Sequence, residues 1–358
     1  VPDHRPAAAA HRDAPDPDGP VGVAVVGAGG WGKNHVRNFA GLAGARLRWV
    51  CDRSAEVRSQ VSRNHPEVSV TEDLDGVLAD GEVHAVVVAT DAPAHYEVAH
   101  RAIEAGKDVL VEKPLTLDPR EGESLCERAE ALGRIAMVGH LLLYHGAVER
   151  LRELVAGGDL GDPLYLHTQR TNLGVVRKDE NAWWSLAPHD VSLANYLFDA
   201  EPESVAAQGA VFLQEGVEDV VFATLHYPGG RLAHCHVSWL DPYKQRRLTV
   251  VGSRKMAVFD DASADQKLQL FDKGVEPPPA TLSYAEGVRI RTGDITVPAL
   301  RLAEPLRREC EAFLDAVRTR TPPLASARSG LGVVRVLEAG SRSLREGGRR
   351  VTLAEVSA

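Results

Sequence analysis

The 358-residue chain is poor in cysteine, and its four cysteines are scattered. Cys51, Cys126, Cys235 and Cys310 show no C-x-x-C spacing. They read as four reduced, buried thiols in a cytoplasmic protein, with no disulfide framework. No run of about 18 apolar residues occurs, which leaves no candidate for a membrane-spanning helix. Runs of like charge are missing too. The net charge of −9 is spread along the chain, which argues against nucleic acid or an anionic membrane as the main partner. A small anion needs only a few local cations, so it is not excluded. The opening VPDHRPAAAAHRDAPDPDGP lacks the charged-then-apolar order of a secretory signal. It is rich in Pro, Ala and Asp, and residues 1–18 are expected to form a mobile tail.

What is present is a soluble-globular composition, 44% hydrophobic and 25% charged, in a chain longer than one compact core usually takes. Two domains follow as the expectation, at 19–140 and 141–358. From residue 21 to about 140, short apolar runs alternate with helix-compatible segments: Val21 to Val26, Leu47 to Cys51, Val68 to Val70, Ala85 to Ala89, Asp108 to Val111 and Ile135 to Gly139. That alternation predicts a parallel, doubly wound α/β sheet with its ligand at the carboxyl ends of the strands.

The first run breaks into Gly27-Ala28-Gly29-Gly30-Trp31-Gly32 before a polar helical segment. In a G-x-G-x-x-G turn the first glycine permits the tight exit from the strand. The second lets the backbone approach a pyrophosphate, and the third lets the helix pack close to the strand. The helix N-terminus then offers free N–H groups to the phosphates. Asp52 closes the second apolar run. It lies somewhat beyond the usual ~20-residue separation but at the expected structural place, the end of the second strand, where a carboxylate accepts hydrogen bonds from the adenine ribose. Its charge would repel a 2′-phosphate, so NAD is expected over NADP, although the neighbouring Arg53 would suit that phosphate. Trp31 is a candidate cover for the pyrophosphate or nicotinamide.

After about residue 140 the rhythm changes. Strand-like runs at Leu164 to Thr171, Ser204 to Phe212, Asp219 to His226, Arg231 to Trp239, Arg246 to Val251 and Met256 to Phe259 follow one another with few helices between them. They predict an α+β domain around a large, mostly antiparallel, open-faced sheet. A helix is expected over Pro188 to Phe198. Two more are expected over Leu306 to Arg318 and Ser329 to Arg345, at least one of which could pack back on the first domain. His234 and His236 share one strand face, but no further ligand cluster lies near, and no metal site is read.

Four pieces together, GAGGWGKNHVRNF, ATDAPAHYEVA at 89–99, AGKDVLVEKPLT at 105–116 and WWSLAPHDVSLANYLF at 183–198, resemble the Gfo/Idh/MocA oxidoreductases in order and spacing. The resemblance runs from about residue 20 to the end of the chain. It implies a Rossmann domain joined to an open-faced sheet domain, and an NAD(P)-dependent enzyme acting on the CH–OH of a sugar. Lys113, in Glu112-Lys113-Pro114 at a strand's carboxyl end, is then a catalytic candidate, able to hydrogen-bond a substrate hydroxyl and steady the alkoxide. Glu112 would orient Lys113 or the nicotinamide ribose, and Pro114 would fix the turn. Thr90, Pro93 and His95 match the family's second cofactor contact. His189 is the candidate base. The family pattern has an aspartate four residues before that histidine, and this chain has Ser185, which supplies no charge to raise the imidazole's pKa. Tyr144 resembles a position bordering the substrate. Arg170, Asn172, Arg177 and Lys178 are candidate substrate contacts.

Within the family, WWSLAPHDVSLANYLF and TQRTNLG look most like members that oxidise the C3 hydroxyl of nucleotide-linked hexoses. Such enzymes make a keto sugar for a partner aminotransferase in amino-sugar or antibiotic-sugar biosynthesis. UDP-glucose or UDP-N-acetylglucosamine is thus the expected substrate, with Arg170, Arg177 and Lys178 on the diphosphate. The alternatives are a free cyclitol or aminocyclitol dehydrogenase, a ketosugar reductase, and a dinucleotide-bound sensor without chemistry. An open sheet face calls for a cover, so a homodimer or homotetramer is expected.

Overall fold

The computed structural model describes residues 19–178, 180–276 and 289–356; the tail expected at 1–18 lies outside them. The chain divides into two compact units. One comprises residues 1–112, 125–137 and 310–323, the other 113–124, 138–309 and 324–358. The division is more interleaved than a single boundary near residue 140. The chain leaves the first unit after Glu112 and returns twice, the second time with Cys310–Pro323, which includes the end of the helix Pro305–Thr319.

The first unit is built on β1 (Val21–Val26), α1 (Gly32–Gly41), β2 (Ala45–Cys51), α2 (Ala55–Asn64), β3 (Ser69–Thr71), α3 (Leu74–Ala79), β4 (Ala85–Val88), α4 (His95–Glu104) and β5 (Asp108–Val111). With β6 (Ala136–Val138), which follows α5 (Pro119–Ala131), the strands form one six-stranded sheet in the order β3-β2-β1-β4-β5-β6. The pairs β1–β2, β1–β4, β2–β3 and β4–β5 are all parallel. Every residue of β1, β4 and β5 is buried, the signature of strands covered on both faces. The order reverses beside β1, and that switch point at the strands' carboxyl ends is where such sheets bind ligands.

The second unit carries a nine-stranded sheet in the order β14-β13-β12-β11-β7-β10-β9-β8-β15. These strands are β7 (Pro163–Thr171), β8 (Ser204–Ala210), β9 (Val220–His226), β10 (Leu232–Ser238), β11 (Gln245–Gly252), β12 (Met256–Asp260), β13 (Leu268–Glu276), β14 (Arg289–Thr296) and β15 (Val351–Thr352). All the pairs run antiparallel except β7–β10. One face alternates Leu166, Thr168 and Arg170 on β7, all buried, with half-exposed His167 and Gln169 on the other. The last three strands, β13 to β15, were not read from sequence. β13 and β14 carry charge at Asp272, Lys273, Arg291 and Asp294 and lack the clean two-residue alternation that marks a half-buried strand.

The buried face is covered by α7 (Ala182–Phe198) and by the helix Ala327–Arg345. α7 begins six residues before the start expected at Pro188. Proline often opens a helix, but here Asn181 caps the end, its side-chain oxygen accepting from Trp184 N at 3.0 Å. Pro188 lies inside, where it has no N–H for the Trp184 carbonyl. Neighbouring packing holds the turn in place. Trp183 Nε1 donates to Leu337 O at 2.9 Å and Trp184 Nε1 to Ser341 Oγ at 2.8 Å. The Trp183 indole lies so close to Gly340 that a Cβ there would come within 2.5 Å of it.

Candidate active site

In the first unit the glycine turn divides its labour by position. Gly27 has φ +86°, and a Cβ on it would strike the backbone at Ala89 and Thr90. A Cβ on Gly32 would lie 2.0 Å from Gly27 O, so the start of α1 packs on the turn only because that residue is glycine. Gly29 and Gly30 face open space, with nothing within 4 Å of a built Cβ. Asp52, just after β2, spans the turn. Its Oδ2 accepts from Ala28 N and its Oδ1 from Ser54 N, both at 2.8 Å. Arg53 is exposed beside it. At the end of β4, Thr90 Oγ1 is buried without a hydrogen-bond partner among the described residues, Pro93 is exposed, and His95 is buried with Nε2 3.1 Å from Thr90 O. The open cradle at Gly29-Gly30, the helix N-terminus behind it and the orphaned Thr90 hydroxyl fit a dinucleotide.

Glu112 turns toward this loop. Its Oε1 takes the Trp31 indole N–H at 2.6 Å and lies 2.7 Å from Nε2 of the fully buried His35. Trp31 is thereby fixed with 46% of its surface exposed. His35 was not read from sequence. It lies one turn into α1 with no motif of its own, and only its partner marks it.

The second unit holds the candidate catalytic residues Lys113 and His189. Lys113, in a cis peptide with Pro114, donates from Nζ to the Ser185 carbonyl oxygen at 3.0 Å. Ser185 is one helical turn before His189 on α7, and that spacing brings the two positions onto one face. His189 is half-buried, and its Nδ1 is buried without a hydrogen-bond partner among the described residues. Desolvation, Arg170, Lys113, His140 and Arg246 together push its pKa well below the ordinary imidazole value. The ring is therefore neutral at physiological pH and available to accept a proton.

Arg170 lies in this unit too, but not as a free cation. Its guanidinium makes three contacts with Asp190, at 2.9, 3.2 and 3.2 Å, and its side chain is 11% exposed. Asp190 points away from His189, as consecutive helix residues do, and into the sheet. Arg177 pairs with Glu180 at 3.0 Å, Lys178 is exposed, and Asn172 N bonds to Ser238 O at 3.2 Å. Tyr144 is 6% exposed, its hydroxyl accepts from Ala325 N at 3.3 Å, and burial lifts its pKa. Its phenol is packed into the unit. His140 and Arg246 were missed. His140 follows β6, a polar residue at a strand's carboxyl end, which is the one signal that would have found it. Arg246 becomes legible only once β11 is registered against β7. On β10, Cys235 is buried while His234 and His236 flank it on the other face.

The model of the oxidoreductase family, NAD-binding Rossmann fold, matches residues 21–140, and the family's C-terminal domain model matches 148–258. UDP-N-acetylglucosamine 3-dehydrogenase of Acidithiobacillus ferrooxidans is 29% identical over 87% of this chain and 93% of its own. Its structure superposes with a TM-score of 0.77 at 26% identity, covering 92% of this chain and 99% of that one. Inositol 2-dehydrogenase 1 of Mycolicibacterium vanbaalenii is 33% identical over 59% of this chain and 64% of its own. The structure of GenD2 from gentamicin A biosynthesis, in complex with NAD, gives a TM-score of 0.78 at 26% identity, over 95% of this chain and 98% of that one.

Proposed function

Since the chain belongs to the Gfo/Idh/MocA oxidoreductases, we propose that it is an NAD-dependent dehydrogenase oxidising a secondary hydroxyl, at C3, of a nucleotide-linked hexose such as UDP-N-acetylglucosamine or UDP-glucose. The observation that carries the reading is the pairing of Lys113 Nζ with the Ser185 carbonyl, one turn from a neutral His189. Bound nicotinamide supplies the hydride acceptor. The protein's own groups do the rest. The Lys113 ammonium hydrogen-bonds the substrate oxygen and stabilises its developing negative charge, and His189 accepts the hydroxyl proton. Trp31, held by Glu112, shields the glycine turn. Asp52 accepts from the ribose hydroxyls, which favours NAD over NADP.

The identity and coverage shared with UDP-N-acetylglucosamine 3-dehydrogenase support a nucleotide sugar as substrate. The stretch shared with inositol 2-dehydrogenase favours a second reading, a free cyclitol. The keto product suits a partner aminotransferase, and the exposed sheet face suits a homodimer or homotetramer. Purified protein incubated with NAD and, separately, UDP-N-acetylglucosamine, UDP-glucose and myo-inositol, followed by absorbance of reduced cofactor, tests the proposal. Turnover of the nucleotide sugars supports it, and turnover of inositol alone replaces it with the cyclitol reading.

A further inference from the structure

We infer that Arg246 is the specificity-determining cation of this active site, holding an anionic group of the substrate, the diphosphate if the nucleotide-sugar reading is right. β11 runs antiparallel to β7 with Arg246 opposite Arg170, Leu248 opposite Thr168 and Val250 opposite Leu166. Leu248, Val250, Thr168 and Leu166 are all buried. Paired residues in a sheet share a face, so Arg246 stands on the face that α7 covers, at its end, where that cover runs out and β11 becomes exposed. Its neighbour Arg170 is neutralised by Asp190, the residue that follows His189.

Among the described residues Arg246 has no such dedicated partner. Asp261 Oδ2 lies 3.6 Å from it, too far for a hydrogen bond, and the same carboxylate is shared with Lys267 at 3.8 Å and His145 at 3.7 Å. One carboxylate thus answers two permanent cations, and half of the Arg246 side chain faces solvent. Lys113, His140 and Arg246 all act on His189 with the same sign. In a chain of net charge −9, this local excess of positive charge next to the candidate base is what an anionic substrate requires and what a neutral polyol does not. The guanidinium also has the fork geometry that suits phosphate oxygens. Arg246 thus takes the diphosphate role expected from sequence for Arg170, whose charge is already spent on Asp190.

The inference rests on the site's being the substrate site of a dehydrogenase, and two measurements separate it from the identity of the sugar. Calorimetry of UDP, the probe, on NAD-loaded wild-type and Arg246→Met protein reads the anion contact directly. Affinity should fall at least about tenfold in the variant and recover in part in Arg246→Lys. In steady state, KM for UDP-N-acetylglucosamine should rise by a similar factor and by more than kcat falls, because an anion contact made equally in ground state and transition state is uniform binding. UDP binding that depends on Arg246, with no turnover of UDP-sugars, keeps the anion subsite and defeats the proposed substrate. Turnover of UDP-sugars with UDP affinity and KM unchanged in Arg246→Met overturns the inference and leaves the substrate reading standing. Wild-type protein that does not bind UDP overturns the inference outright.

Discussion

Removing Asp190 is the sharpest probe of how the second unit supports its site. The Arg170–Asp190 pair makes three contacts of 2.9–3.2 Å with side chains 11% and 3% exposed. Asp190→Ala leaves the guanidinium buried and unanswered, a change that costs about 3–5 kcal/mol in buried pairs. At roughly 2–4 °C per kcal/mol for a unit of about 200 residues, the transition should fall by about 6–20 °C. The paired replacement Arg170→Met with Asp190→Leu should behave oppositely. Burial outweighs Arg170 and lifts the Asp190 carboxyl above its ordinary value. A carboxyl with a raised folded pKa disfavours folding once it must ionise. Its contribution is best below pH ~4 and declines as pH rises through the folded value. At neutral pH the pair therefore contributes little, and the apolar pair should match wild type or exceed it by about 1–4 kcal/mol. Urea unfolding followed by tryptophan fluorescence reads both, since Trp183, Trp184 and Trp239 lie in this unit. A loss below about 1 kcal/mol in Asp190→Ala, the scale of a surface pair, would refute the burial argument. The double variant should nevertheless lose activity, since it removes the tie that holds α7 to β7 next to His189.

Lys113→Ala should lower the rate by about 10²–10⁴-fold while NAD affinity, measured by calorimetry, stays close to wild type; near-normal turnover would remove Lys113 from the chemistry. Two glycines separate cofactor binding from folding. Gly29→Val projects into open space and should leave thermal stability unchanged while abolishing NAD binding, whereas Gly32→Val drives a Cβ onto Gly27 O and should destabilise the protein with or without cofactor.

The first unit was nearly all legible, because a doubly buried parallel strand is written as an unbroken apolar run and a dinucleotide turn as fixed glycine spacing. Asp52, Gly27 and Gly32 follow from local backbone demands that a sequence displays. The second unit was legible only where strands alternate. β13 and β14 do not, and α7 hid its start behind Pro188 because the cap, Asn181, is six residues earlier than the proline suggests. The electrostatics of the site were the least legible part. Arg170 and Arg246 look alike as letters, and both belong to strands that a linear reading finds. Which one is spent depends on Asp190 facing β7 and Asp261 lying beside β11, facts of register and helix phase.

That charge balance gives Ser185 a meaning beyond the loss of a carboxylate. The Lys113 ammonium donates to the Ser185 carbonyl oxygen, and with serine at position 185 this stretch carries one carboxylate fewer than the family pattern it resembles. The same absence lowers the basicity of His189 and raises the site's attraction for anions. Ser185→Asp should reverse both. The new carboxylate would lie one turn from His189 at about 6 Å. At an effective dielectric of about 20 this is worth roughly 2–3 kcal/mol, or up to about 2 pH units. In wild type, where His189 sits well below its ordinary value, the acidic limb of kcat/KM should lie below pH ~6.5. In Ser185→Asp it should move upward, because a raised imidazole pKa keeps the base protonated to higher pH. KM for UDP-N-acetylglucosamine should rise in parallel, with little change in KM for NAD. An upward limb with unchanged substrate KM would mean that charge at position 185 reaches the base but not the anion. An unmoved limb would mean that His189 is not the group being titrated.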